Sequence, residues 1–294
     1  MLRRDFVKTL PFIPSAAKAM NLQELSKAAS SLKQGAKMPV LFIGHGSPMN
    51  GIEDNPYSES WRKLAKEIPL PKAVLCISAH WLTQGTLVTA LEKPPTIHDF
   101  GGFPQELFDV RYPAPGSPAI AEETRRAVKS IAVKSDHEWG LDHGAWTVIR
   151  RMYPEAKVPV LQFSIDYHKP PQYHYDLGRE LAGLREKGVL ILGSGNMVHN
   201  LRLIAFDRIN DAEYGFDWAL EMKAKFAKHI LERNHAALIG YEGMGEAAKL
   251  AIPTPDHYYP LLYILGLQEK GETAVLFNDK AVGGSLTMTS VKIS

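Results

Sequence analysis

Pro39-Val40-Leu41-Phe42-Ile43-Gly44-His45-Gly46 carries the first firm structural signal in the chain. Five apolar residues follow one another without a polar break and stop at glycine. A strand with one face in water would alternate. A run apolar on both sides reads as a strand buried between two layers. The same design recurs three times. Ala73-Val74-Leu75-Cys76-Ile77 precedes Ser78-Ala79-His80, and Val158 to Phe163 precedes Ser164-Ile165-Asp166. Val189-Leu190-Ile191-Leu192 precedes Gly193-Ser194-Gly195-Asn196. Each run ends in tiny or polar residues.

Helical patterns separate these runs. Pro56 to Ile68 carries Trp61, Leu64, Ala65 and Ile68 at helical spacing. Ser117 and Pro118 open a second segment to Ile131 as N-cap and first-turn residue. Tyr173 to Glu186 places Leu177, Leu181 and Leu184 on one stripe, Ala212 to Glu232 is amphipathic, and Tyr258 to Leu267 is strongly apolar. Two late strands are expected at Thr273 to Phe277 and Ser285 to Val291. This alternation predicts an α/β fold: a single domain over residues 38–294, with a mainly parallel central sheet flanked by helices. Two long loops interrupt it, Glu92 to Pro118 and a stretch around Ser135 to Ala145. Such loops commonly wall a site.

The composition narrows the function classes. The 294 residues carry 34 basic and 32 acidic side chains, a net charge of +2, so no basic excess is present to bind nucleic acid. No stretch is long and apolar enough to cross a membrane as a helix. Cys76 is alone and sits inside an apolar run, which reads as packing. The pairs Arg125-Arg126 and Arg150-Arg151 read as solvated helix faces. Residues 1–37 are set apart as an N-terminal extension. Arg3-Arg4-Asp5-Phe6, the weakly apolar Leu10 to Ala17 and Ala17-Lys18-Ala19 faintly resemble a twin-arginine export signal. A cytoplasmic location is expected, with export as the alternative.

Histidines carry the chemistry. In an open α/β sheet, ligands bind outside the carboxyl ends of the strands. His45 comes two residues after one strand, His80 three after another, and His199 shortly after a third in Gly193-Ser194-Gly195-Asn196-Met197-Val198-His199-Asn200. His257, in Pro253-Thr254-Pro255-Asp256-His257-Tyr258, precedes an apolar helix. Singly, each reads as a hydrogen-bonded loop histidine. Together they form a candidate metal site at the strand tips, since neutral imidazole suits Zn and Fe(II). Other constellations are missing: no Gly-x-Ser-x-Gly elbow, P-loop or Gly-x-Gly-x-x-Gly occurs.

Seven ordered motifs are Gly44-His45-Gly46-Ser47-Pro48-Met49, Ser78-Ala79-His80-Trp81, Pro95 to Pro104 around His98-Asp99-Phe100-Gly101-Gly102-Phe103, Tyr112 to Pro118, Asp142-His143-Gly144 and the segments around His199 and His257. From about Met38 to the end, the chain closely resembles the class III extradiol ring-cleavage dioxygenases, in the DOPA 4,5-dioxygenase branch. The resemblance implies an oxidoreductase that opens a catechol with O₂ to a muconic semialdehyde, using non-haem Fe(II), with Zn possible at the same site. It implies His45, His80 and His257 as metal ligands, His199 as a further metal contact or the acid–base residue, and His143 near substrate and O₂. Phe100, Phe103 and Trp81 are candidates for an aromatic pocket or for packing. An all-histidine set departs from the two-histidine, one-carboxylate pattern of the protocatechuate branch. It resembles a catalytic Zn site, and Asp256 is the carboxylate that would restore that pattern. Two other classes stay open: a zinc-dependent hydrolase with His199 as base, and a non-catalytic metal-binding protein on the same scaffold.

Overall fold

In the computed structural model, which describes residues 37–294, the four apolar runs are neighbours in one six-stranded sheet. Its strands are β1 (Val40–Gly44), β2 (Ala73–Ser78), β3 (Val160–Gln162), β4 (Val189–Gly195), β5 (Ala274–Phe277) and β6 (Ser290–Ile293), in the order β3-β2-β4-β1-β6-β5. The first four are parallel to one another, and β6 and β5 join antiparallel at the edge. The main helices are α1 (Pro56–Glu67), α2 (Pro118–Ala127), α3 (His143–Met152), α4 (Pro171–Glu180), α5 (Asp217–Leu231) and α6 (Tyr259–Gly266). The export-signal reading falls on residues 1–36, outside the described residues. Among the described residues, no helix is long and apolar enough to cross a membrane.

The uninterrupted apolar runs have a direct cause. Val40, Phe42, Leu75, Ile77 and Ile191 point to one face and pack with Ala121, Leu177, Phe226 and Leu262 from α2, α4, α5 and α6. Leu41, Ile43, Val74, Cys76, Leu190 and Leu192 point to the other and pack with Trp61 of α1 and Trp146 of α3. Neither face meets water, so a polar residue is accommodated only where it finds a partner, as buried Gln162 does by donating to Gly140 O. Each such side chain contributes about 1.5–3 kcal/mol when buried.

Several boundaries differ from the sequence reading. The expected helix from Tyr173 to Glu186 is α4 followed by a separate turn, Gly183–Glu186. Between them the chain tightens to three-residue hydrogen bonds, Leu181 N–H to Gly178 O and Leu184 N–H to Leu181 O. The expected helix from Ala212 starts only at Asp217, because Tyr214 and Phe216 donate to Ala281 O and Gly284 O instead. The late strand from Ser285 divides: Leu286–Thr287 pairs with Ala281–Val282, and β6 joins β1. The stretch around Ser135 to Ala145 is partly regular. Lys134–Asp136 is a short strand parallel to Leu87–Thr89, and α3 begins at His143.

Arg150-Arg151 is not a solvated face. Arg151 is buried, its Nε donating to Asn50 O at 2.8 Å and Nη1 to Asp54 Oδ1 at 2.9 Å. Arg150 also turns inward, onto Gly51 O. Both residues therefore clamp the loop that follows β1. Arg125 reaches Val133 O as well as Glu122, while Arg126 stays on the surface with Glu122. Arg151→Ala leaves the Asn50 carbonyl without its buried donor. Urea denaturation should show a loss of about 1–3 kcal/mol. The Asp54 pair adds little, because that carboxylate is 67% exposed.

Candidate metal centre

Strand register brings the histidines level. Ile43, Ser194 and Ser78 lie in one rank across β1, β4 and β2. His45 and His80 each follow that rank by two residues. His257 arrives from the segment before α6, where Asn196 N–H donates to His257 O at 2.9 Å. A side chain on Gly195 would run into that carbonyl, so the close approach of the two backbones requires glycine. His143 is the first residue of α3. The N-cap Asp142 accepts from Ala145 N–H at 3.0 Å and from the Ser78 hydroxyl at 2.7 Å. The cap therefore stitches α3 to the tip of β2.

Ring nitrogens of His45, His80 and His257 lie within 4.8 Å of one another. The Nε2 atoms of His45 and His80 are 3.3 Å apart. Two ligands each about 2.1 Å from one cation stand about 3.0–3.4 Å apart for angles between octahedral and tetrahedral, so this spacing suits shared coordination. Hydrogen-bond logic fixes two of the tautomers. The Ser194 hydroxyl donates its one proton to Gly144 O at 2.6 Å, so it accepts from His45 Nδ1 at 3.0 Å. The Asp256 carboxylate accepts from His257 Nδ1 at 2.5 Å. In both rings Nε2 is left with a lone pair, the arrangement found where an outer partner orients a metal-binding histidine. Burial, then the neighbouring histidines, holds His45 and His257 well below the usual imidazole range and His80 down to about 3. All three rings are thus neutral at pH 7, with their lone pairs free for a cation. Three neutral imidazoles fit a divalent transition metal such as Fe(II) or Zn.

His199 stands beside this set. Its ring stacks on His257 with centroids 3.5 Å apart and planes 7° from parallel. An imidazole lone pair lies in the ring plane, so a cation in the plane of His257 would lie well off the plane of His199. Among the described residues, two triplets bring donor atoms within 4.8 Å of one another, His45–His80–His257 and His80–Asp99–His143, and His199 is in neither. Its pKa is lowered to about 4 by burial, against the opposing pull of Asp256. The His143 ring lies 3.9 Å from that of His80. The Asp256 carboxylate faces His257 Nδ1 and is not in the cluster either. Phe100 meets His143 edge-on at 5.6 Å and Phe103 meets Phe100 at 5.5 Å, whereas Trp81 is buried and stacked on Trp139.

Three supporting residues escaped the sequence reading. Ser194 and Asp142 orient the site through hydrogen bonds. Asp99 lies 3.0 Å from His143 Nδ1 and 3.5 Å from His80 Nδ1. Of these, Asp142 carried a local signal, as an N-cap before the apolar spacing Ala145, Trp146, Ile149 and Tyr153.

A family model described as the catalytic LigB subunit of aromatic ring-opening dioxygenase matches residues 39–287. A protein of Escherichia coli (strain K12) named 4,5-DOPA dioxygenase extradiol is 46% identical over 267 residues, covering 89% of this chain and 97% of that protein. One of the same name from Beta vulgaris is 38% identical over 264 residues, covering 86% and 95%. A crystal structure of an uncharacterized protein from Escherichia coli K12 is similar at a TM-score of 0.73 and 41% identity, covering 87% of this chain and 100% of that one.

Proposed function

The chain belongs to the family of the catalytic LigB subunit, the aromatic ring-opening dioxygenases, and from that premise we propose that it opens the ring of a catechol such as DOPA with O₂, beside one hydroxyl, to give a muconic semialdehyde. The observation that carries this reading is the inward-facing set His45, His80 and His257 at the strand tips. We assign these three as the ligands of Fe(II), with Zn able to occupy the same neutral set. A bound Fe(II) supplies Lewis acidity toward the two adjacent hydroxyls and an electron relay between the ring and O₂.

The protein's own groups supply the rest. His199 is half-buried and unprotonated at neutral pH, so it is ready to take a proton from a catechol hydroxyl and return one as the ring opens. Stacking on His257 keeps its ring flat and fixed beside the ligand set. His143 sits between the tip of β2 and Phe100, placed to face substrate and O₂. Phe100 and Phe103 form an aromatic wall that takes the flat face of a catechol and excludes water.

The test is oxygen uptake by protein loaded anaerobically with Fe(II). With a catechol it should consume one O₂ per ring opened and release a yellow product, while the Zn-loaded form consumes none. An Fe(II) form that leaves O₂ untouched with simple catechols and with DOPA would overturn the proposal. It would turn attention to the Zn form as a hydrolase.

A further inference from the structure

The Asp99 carboxylate reaches two histidines at once. Its Oδ1 accepts the His143 backbone N–H at 2.9 Å. Its Oδ2 lies 3.0 Å from His143 Nδ1, out of line for a hydrogen bond, and 3.5 Å from His80 Nδ1. We infer that Asp99 is a positioning residue shared by the metal set and the substrate-facing side. It keeps the proton of His80 on Nδ1, so that Nε2 turns its lone pair inward beside those of His45 and His257, and it holds His143 against the same edge. This rests on the reading of those three histidines as metal ligands.

The argument starts from the 3.3 Å contact between His45 Nε2 and His80 Nε2. His45 brings a lone pair to it, because its proton is held on Nδ1 by Ser194. His80 has two choices. A proton on Nε2 would donate to His45 but leave the Nδ1 lone pair facing a carboxylate oxygen. A proton on Nδ1 faces that oxygen favourably and leaves two lone pairs converging, an arrangement that a cation between them resolves. A carboxylate beside the outer nitrogen selects the second tautomer.

Asp99 is placed firmly enough to act this way, although its loop has little regular structure. Ile97 N–H donates to Leu141 O at 2.7 Å, Leu141 N–H to Pro95 O at 2.8 Å and the Trp146 indole to Ile97 O at 2.9 Å. These bonds fasten residues 95–97 to the approach and body of α3. A carboxylate at the start of that ten-residue helix also meets its positive end favourably. The side chain is 19% exposed, so the contact is largely shielded from water.

The experiment is a Zn(II) titration of the full chain against a chromophoric chelator, for wild type, Asp99→Asn and Asp99→Glu. It is paired with long-range ¹⁵N–¹H correlation of His80 in the metal-free wild type. Asparagine keeps the size and can still accept from His143 N–H. Its Zn affinity should nonetheless fall about 10- to 100-fold, with part recovered by Asp99→Glu, and wild-type His80 should carry its proton on Nδ1. An Asp99→Asn affinity within about twofold of wild type, or a His80 proton on Nε2, overturns the inference while leaving the metal reading intact. If Asp99→Asn does not fold, the wild-type His80 spectrum decides alone. A wild type that takes up no Zn brings down the metal reading and this inference with it.

Discussion

His257→Ala should leave the protein folded but unable to retain its metal, and should lower ring-opening by more than about 100-fold. That figure is a floor. Removing only an outer partner of a metal ligand costs 10- to 100-fold in affinity or activity, and His257 is proposed as a ligand itself. The other two candidate ligands follow β1 and β2, the strands on either side of β4, whereas His257 comes from a separate segment pressed against β4. Its loss would open one side of the cluster, leaving His45 and His80 to hold a cation by two contacts. The backbone anchor survives, because Asn196 bonds the His257 carbonyl and not its ring. Circular dichroism should therefore stay native while metal analysis shows less than stoichiometric Fe or Zn. His45→Ala should behave the same way. Full metal content in either variant would remove that ring from the ligand set. Acid should act in the same direction as the mutations. Protons compete for the three Nε2 lone pairs, so metal retention should weaken as pH falls, and not as it rises.

How much of this was legible in the sequence follows from what decides each feature. The buried strands could be read because two-sided burial leaves a mark on every residue of the run: Leu41 and Phe42 face opposite layers, yet both must be apolar. The histidines at the strand tips could be read as a set because parallel strands bring their carboxyl ends to one edge. Strand order could not be read, since it depends on which runs pair, and β4 lies between β1 and β2 although it comes last of the three. Helix α3 was hidden by its start. His143 and Gly144 look like a loop motif, and the glycine is there because a side chain would strike Ser78 and His80. Arg151 was misread for a related reason: a charge pair on a helix looks solvated until one knows that a carbonyl of a distant loop lies beneath it. Asp99 was in plain view among the quoted motifs, but its partners are 19 residues upstream at His80 and 44 downstream at His143. Such a contact depends on tertiary placement, which local pattern does not encode.

His199→Ala should reduce kcat by about 10²- to 10⁴-fold, the usual contribution of a positioned general acid–base group, with metal content unchanged. The two readouts together separate its two possible roles. A ligand lost from the set takes metal with it, as expected for His257→Ala. A proton carrier lost from beside the set leaves the metal in place and slows only the chemistry. The stacked geometry argues for the second, since two parallel rings 3.5 Å apart cannot both aim in-plane lone pairs at one cation near either of them. His199→Gln sharpens the distinction. Glutamine keeps polar contact with a hydroxyl but cannot exchange protons near neutral pH, so it should be nearly as slow as alanine while binding catechol with little change. Loss of the metal in His199→Ala would make His199 a fourth ligand and leave the proton transfer to another group, with His143, the other imidazole proposed to face substrate, the next to test.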